Sequence, residues 1–216
     1  EQSLKSRFGL ATLDGLGSPS RAELAAAGGL LTYLDSTQKG GGILLDAPRR
    51  IARESHMAID AASRDSLELT RSVSGSVAGS LLGEIDRCQT AAGRRLLCED
   101  VAAPLTDAST IEQRLALVAW HHEGAIRRDR TRSALKTMPD IARALARLAA
   151  GRGTPRDLAL LRDGLAAADA LKRELEAESD RPPLLGALLP KLGGHEPLLE
   201  KLARALVSSP PLDASK

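Results

Sequence analysis

The stretch Met138–Leu175, MPDIARALARLAAGRGTPRDLALLRDGLAAADALKREL, decides the fold. Ile141, Leu145 and Leu148 recur at i, i+4 and i+7, the stripe of a helix with one buried face. Pro139 suits a first helical turn, where its missing N–H is no loss. Gly151-Arg-Gly153 stops that helix. The next begins at once, with Thr154 as N-cap, Pro155 at N1 and Asp157 placed to reach back as in a capping box. Leu158, Leu161, Leu165 and Leu175 continue an apolar face. Two antiparallel helices joined by about three residues have their axes set by that turn. Gly153, just ahead of the N-cap, is expected to hold a backbone conformation that a β-carbon strains.

Composition extends this reading to the rest of the 216 residues. Leucine occurs 38 times, whereas Trp120, Tyr33 and Phe8 are single representatives of their kinds. Such a core favours packed helices, which use small and γ-branched side chains well. Lys+Arg is 30 against Asp+Glu 28, so the chain is not a globally basic nucleic-acid binder and any such contact is a local patch. Cys88 and Cys98 lie ten apart with no CxxC, and read as reduced core residues of an intracellular protein. No apolar run approaches the length of about 18 residues that crosses a bilayer. EQSLKSRFGL lacks the basic start and apolar stretch of a signal peptide. The expectation is a soluble, cytoplasmic protein without membrane contact.

Taken in order, residues 1–19 carry Phe8, Leu10, Leu13 and Leu16 interrupted by glycines. Ser20-Arg-Ala-Glu23 is a capping box, from which Leu24, Ala27, Leu31 and Leu34 carry a helix to about Gln38. Lys39-Gly-Gly-Gly42 breaks it, and Ile43, Leu44 and Leu45 call for burial. His56–Asp60 reads as a short strand with Met57 and Ile59 on one face, followed by a helical turn capped by Ser63. Ser72–Gly79 is a Ser/Gly-rich loop, and Leu81, Leu82 and Ile85 open a short helix. Thr90–Val101 is a helix ended by Pro104; Asp107 caps the next, with Ile111, Leu115, Val118 and His122 on its packed face. A basic helix, Ile126–Thr137, leads into the opening stretch, and Glu196–Val207 is the last helix.

Little in this pattern carries reaction chemistry. Gly40-Gly-Gly42 and Gly151-Arg-Gly-Thr154 are not GxxxxGK[ST] and follow no clear strand, so they read as helix stops. His121 and His122 are adjacent and point about 100° apart on a helix, which does not converge on a metal. No GxSxG elbow presents a serine nucleophile. Arg127, Arg128, Arg130, Arg132 and Lys136 form the best nucleic-acid candidate, since cationic faces displace counterions from phosphates. Asp129 interrupts that cluster and no aromatics interleave for stacking, so it reads as a solvated face.

The particular residues go further. PDIARALARLAAGRGTPRDLALLRDGL closely resembles the core (lever) domain of the bacterial MutS family of DNA mismatch-recognition ATPases, where a helix is followed by Gly-x-Gly-x-Pro-Arg-Asp-Leu. Met57-Ala-Ile-Asp60-Ala-Ala-Ser-Arg64, with Leu67-Glu68-Leu69, is similar to that family's Asp-Ala-Ala-Thr-Arg-x-Asn-Leu-Glu-Leu signature. Thr90, Gly93, Arg95, Leu96 and Leu97 with Pro104, Leu105 and Asp107 resemble its next helix, and Ile111, Arg114, Leu115 and Val118 the one after. Phe8-Gly9 through Leu34 to Thr37-Gln38 resembles the end of the connector domain and its exit helix. Ser66 and Asp100 depart from the family's usual Asn and Trp, and the pair His121-His122 is unfamiliar in it.

The resemblance implies a mainly α fold: a multi-helix core (lever) domain with one short strand near 56–60, preceded by the terminal helix of an α/β connector domain. Residues 1–50 would be the end of the connector with its linking loop, and 51–216 the first part of the core. It implies a coupling segment between mismatched-DNA binding and an ATPase that lies outside this stretch. No catalytic, cofactor-binding or metal-binding residue carries over, and no nucleic-acid contact is assigned. ATP and Mg belong to the full-length family, whose partners are mismatched duplex DNA, a second MutS subunit and a MutL-like protein. The alternative is a free-standing helical adaptor using its Leu-rich faces, and a small hydrolase is a third reading. With a net charge of +2 and one broken basic face, the isolated chain is predicted to bind DNA weakly, with steep salt dependence and no mismatch preference. A preference for a G·T duplex over its matched control in moderate salt contradicts this.

Overall fold

A computed structural model of the chain describes residues 1–13, 16–17, 19–37, 45–48 and 55–211. Two compact units are present, one of Glu1–Ala52 with Ala146–Gly153, the other of Arg53–Leu145 with Thr154–Lys216. In the first, α1 (Gln2–Phe8) packs on α2 (Arg21–Thr37), and Leu4 and Leu31 are buried. The amphipathic short helix α1 was not legible among the glycines that follow it. Its end is fixed by Gly9 in the left-handed region, with φ 63°. The expected box at α2 forms: the Glu23 N–H donates to Ser20 Oγ at 3.3 Å, and the Ser20 N–H to Glu23 Oε2 at 2.6 Å. The break at 39–42 and Ile43 and Leu44 lie outside the described residues, whereas Leu45 is exposed.

The second unit runs through α3 (Ala61–Ser66), α4 (Leu81–Ile85), α5 (Ala91–Ala102), α6 (Ala108–Glu123) and α7 (Ala125–Lys136). It then takes in the start of α8 (Ile141–Ala149), α9 (Pro155–Glu176), α10 (Pro183–Leu188), a 3-10 turn at Leu189–Leu192 and α11 (Glu196–Ala205). Its core joins Trp120 of α6, Leu171 and Leu175 of α9, Leu185 of α10 and Leu189, with Leu117, Leu135 and Met138 packed against them. Each such leucine contributes about 1.5–3 kcal/mol when fully withdrawn from water.

Several local expectations are corrected. The strand near 56–60 reduces to a single antiparallel bridge, His56 to Leu105, flanked by Met57 N–H to Pro104 O at 2.7 Å and Thr106 N–H to Ser55 O at 3.2 Å. Pro104 has no N–H to extend the ladder, so pairing stops there. Asp60, not Ser63, caps α3; its carboxylate accepts from the Ser63 N–H at 2.9 Å. On α8 the buried residue is Ala144, while Leu145 is 57% exposed. Pro139 lies ahead of the helix, which begins at Ile141 behind Asp140. The small Ala144 on α8 and the buried Gly164 on α9 allow close approach. A Cβ on Gly164 would collide with Cγ2 of Ile141.

Around the turn, the left-handed glycine is Gly151, with φ 67°. Its N–H donates to Leu148 O at 3.0 Å and the Arg152 N–H to Arg147 O at 2.9 Å, the paired bonds of a Schellman cap. Gly153 needs no unusual φ; it lacks a side chain because Leu148 occupies the space, and a Cβ there would sit 2.9 Å from Leu148 Cα as well as against its side chain. Beyond it the predicted capping box of α9 is complete, with the Thr154 N–H donating to Asp157 Oδ2 at 2.9 Å. Because the obstacle at 153 includes backbone, Gly153→Val should destabilise the chain by about 1–3 kcal/mol. Exposed Arg152→Ala should stay within about 0.5 kcal/mol. Urea unfolding checks both, and coincident midpoints contradict the steric reading.

Candidate functional site

The residues that carried the family resemblance do not converge on a reaction centre. They cap helices and brace one to the next. Thr90 caps α5 through the Gly93 N–H at 3.0 Å, and Asp107 caps α6 through the Thr110 N–H at 2.8 Å. Arg95 on α5 reaches Asp140, at the start of α8, with both terminal nitrogens at 2.9 Å, a bidentate pair. Arg143 adds a second cation at 3.4 Å. The hydrogen bond from Arg95, and then the Arg143 N–H, hold the Asp140 carboxyl below the usual carboxylate range. Arg114 on α6 meets Asp100 on α5 at 2.7 Å, so the departure at 100 is matched by an ion pair. Sequence reasoning named Arg95, Arg114 and Asp100 as motif positions but paired none of them, because separations of up to 45 residues leave no periodic signal.

The basic helix is taken apart by the fold. Arg127 turns inward: its guanidinium lies 3.6 Å over the Trp120 ring, donates to the Trp120 carbonyl and meets Glu178 at 3.6 Å. Trp120 Nε1 and Arg127 Nε are buried without a hydrogen-bond partner, and ring–cation attraction offsets part of that loss. Arg128 donates to His122 O at 3.1 Å, and Arg132 to Arg87 O at 3.2 Å. Arg130, Arg132 and Lys136 are exposed. The five cations therefore do not share one open face.

His121, rather than His122, is the half-buried member of its pair, set edge-on to Trp120 at 4.8 Å between centroids. Burial, and then the Arg127 charge, push its pKa down. Among the described residues, no group of three or more His, Cys, Asp or Glu could hold a metal ion. Cys88 and Cys98 are free and half-buried, outside the core, and burial raises the Cys88 thiol. The residues present do not fit a nucleotide phosphate at 151–154, because the amides of Gly151 and Arg152 are taken up by the cap of α8. Among the described residues, no helix is long and apolar enough to cross a membrane.

The fold and its joints thus define a braced multi-helix segment. Residues 62–216 match the family described as MutS domain III, and the chain belongs to the MutS family. It is 50% identical over 216 residues to the DNA mismatch repair protein MutS of Zymomonas mobilis, covering 100% of this chain and 25% of that protein. It is 49% identical over 211 residues to its counterpart in Erythrobacter litoralis, covering 98% and 24%, and 48% identical over 213 residues to that of Nitrobacter winogradskyi, covering 98% and 24%. The chain spans about a quarter of the length of these relatives.

A group whose folded pKa is depressed stabilises above its unfolded pKa, about 3.9 for Asp, and loses that contribution as pH falls through the folded value. Asp140→Asn should therefore lower the urea midpoint at pH 7, and the gap from the parent should shrink by pH 3. An equal gap at both pH values contradicts a charged Arg95–Asp140 brace.

Proposed function

We propose that this chain is the coupling segment of a mismatch-repair protein, carrying a signal between mismatched DNA and an ATPase that lies elsewhere in the polypeptide. In this reading residues 1–50 close a connector domain and its linking loop, and 51–216 are the first part of the core (lever). The segment performs no chemistry of its own. ATP and Mg act in another domain, and mismatched duplex DNA, a second subunit and a MutL-like protein are partners of the whole molecule. Its setting is the cytoplasm, where the chromosome of a bacterial cell lies.

One observation carries the proposal: in a chain of this family, the motif residues Thr90, Arg95, Asp107, Arg114, Thr154 and Asp157 all serve as caps or braces between helices. Coupling needs an element whose parts move together, and packed, cross-braced helices transmit displacement without deforming continuously. A free-standing adaptor is disfavoured by matches that span the whole chain yet only a quarter of each relative.

The test is Gly153→Val in the full-length protein, with Arg152→Ala as its control. Mismatch affinity should persist while mismatch-dependent change in ATP turnover falls several-fold for the valine variant alone. Unaltered coupling in that variant, with the midpoint of the isolated chain lowered as above, contradicts a mechanical role for the turn.

A further inference from the structure

The fold that takes the basic helix apart builds a different cationic cluster from three elements. The loop between α4 and α5, residues 86–90, passes beside α7, where Arg132 donates to the Arg87 carbonyl at 3.2 Å. Arg87 folds back to donate to the Asp86 carbonyl at 2.9 Å. Arg94, near the start of α5, gives its Nε–H to Asp86 Oδ2 at 2.6 Å. Three guanidiniums thus meet around two consecutive residues, although 45 positions separate Arg87 from Arg132. The Cys88 thiol feels the same crowding: burial raises its pKa first, and the Arg94 and Arg132 charges act against that rise.

Charge does not cancel there. Among the described residues, Asp86 is the one carboxylate bonded to any of the three arginines, and its side chain is only 14% exposed. Arg87, Arg94 and Arg132 are all exposed, so three cations stand against one half-buried carboxylate. Lys136, exposed one turn beyond Arg132 on α7, adds to the excess. Asp129 has another partner, Arg128, at 3.7 Å. Each of the three arginines commits one nitrogen to these contacts, and a guanidinium carries five N–H donors in a fixed fork. Their heads are held in place with donors to spare, which is the chemistry that meets paired phosphate oxygens.

We infer that Arg87, Arg94 and Arg132 form a phosphate-binding patch that grips the backbone of duplex DNA. The choice of duplex as the phosphate source rests on the reading of the chain as a segment of a mismatch-repair protein. Duplex DNA carries one charge per about 1.7 Å of its axis, so cations from three elements each find a phosphate. None of α5, α7 and the loop contains an aromatic residue to stack a base, which favours paired DNA over single strands. Contacts of this kind fix position and carry no sequence information.

The test is binding of a matched duplex by the full-length protein as salt is raised. Each of Arg87→Gln, Arg94→Gln and Arg132→Gln should flatten the slope of log K against log salt by about 0.9 and weaken binding about fivefold at low salt. Arg132→Lys should keep the parent slope, and Asp86→Asn should tighten binding. Arg130→Gln, on the same helix as Arg132, should leave slope and affinity unaltered. Parent slopes in all three glutamine variants overturn the proposal, as does an equal loss in Arg130→Gln. A loss in Arg132→Gln that the lysine variant shares assigns Arg132 to architecture alone, with the same consequence. If Arg132→Gln loses binding to inorganic tripolyphosphate or to a polyglutamate peptide while its duplex slope is unchanged, the patch serves a small phosphate or an acidic protein segment, and duplex DNA is overturned. Mismatch-dependent ATP turnover of the parent protein, measured alongside, separates failure of the patch from failure of the coupling reading.

Discussion

Asp140 is the junction on which the helical arrangement turns. It stands at the start of α8, accepts both terminal nitrogens of Arg95 from α5, and draws in Arg143 one turn later. Its side chain is 22% exposed and that of Arg95 39%, so water screens the pair and its worth in stability is modest. Its geometry is another matter. A planar fork meeting a planar carboxylate admits one orientation, whereas faces of leucine and alanine fit together in several neighbouring registers. In a chain with three aromatic residues, such braces supply the directionality that large rings provide elsewhere.

The same device recurs with backbone carbonyls as acceptors. Arg162 of α9 donates to Val207 O at 3.0 Å and Ser208 O at 3.2 Å, and Arg156 to Pro210 O at 3.4 Å, which holds the segment after α11 beside α9. Arg181 folds back onto the Glu176 carbonyl and caps the free end of α9. Carbonyls at helix ends and in extended segments have no intrahelical partner, so a long cationic side chain satisfies them while its stem covers apolar surface. Arginines such as Arg156, Arg162 and Arg181 therefore serve the internal architecture as well as carrying charge.

What was legible in the sequence was local. The Ser20–Glu23 and Thr154–Asp157 boxes and the cap at Asp107 depend on residues three apart, and all stand as read. Facing was less legible, because periodicity identifies an apolar stripe without saying what covers it. On α6 two apolar stripes adjoin, and the one with regular i, i+4, i+7 spacing is the open one. On α8 the innermost position belongs to Ala144, whose small size escapes a pattern search built on leucine. The strand at 56–60 failed for a partner's reason, the proline at 104, which no reading of 56–60 contains. Braces such as Arg95–Asp140 were invisible, since charge pairs distant in sequence leave no trace in spacing.

The placement of Trp120 has a spectroscopic consequence. It is the single indole of the chain, it is buried under the Arg127 guanidinium, and Tyr33, the single phenol, belongs to the other compact unit. Selective excitation of the indole therefore isolates the meeting point of α6, α7 and α9 from everything else in the chain. Each unit carries one intrinsic fluorophore of its own kind, so the order in which the two come apart can be followed with no label attached.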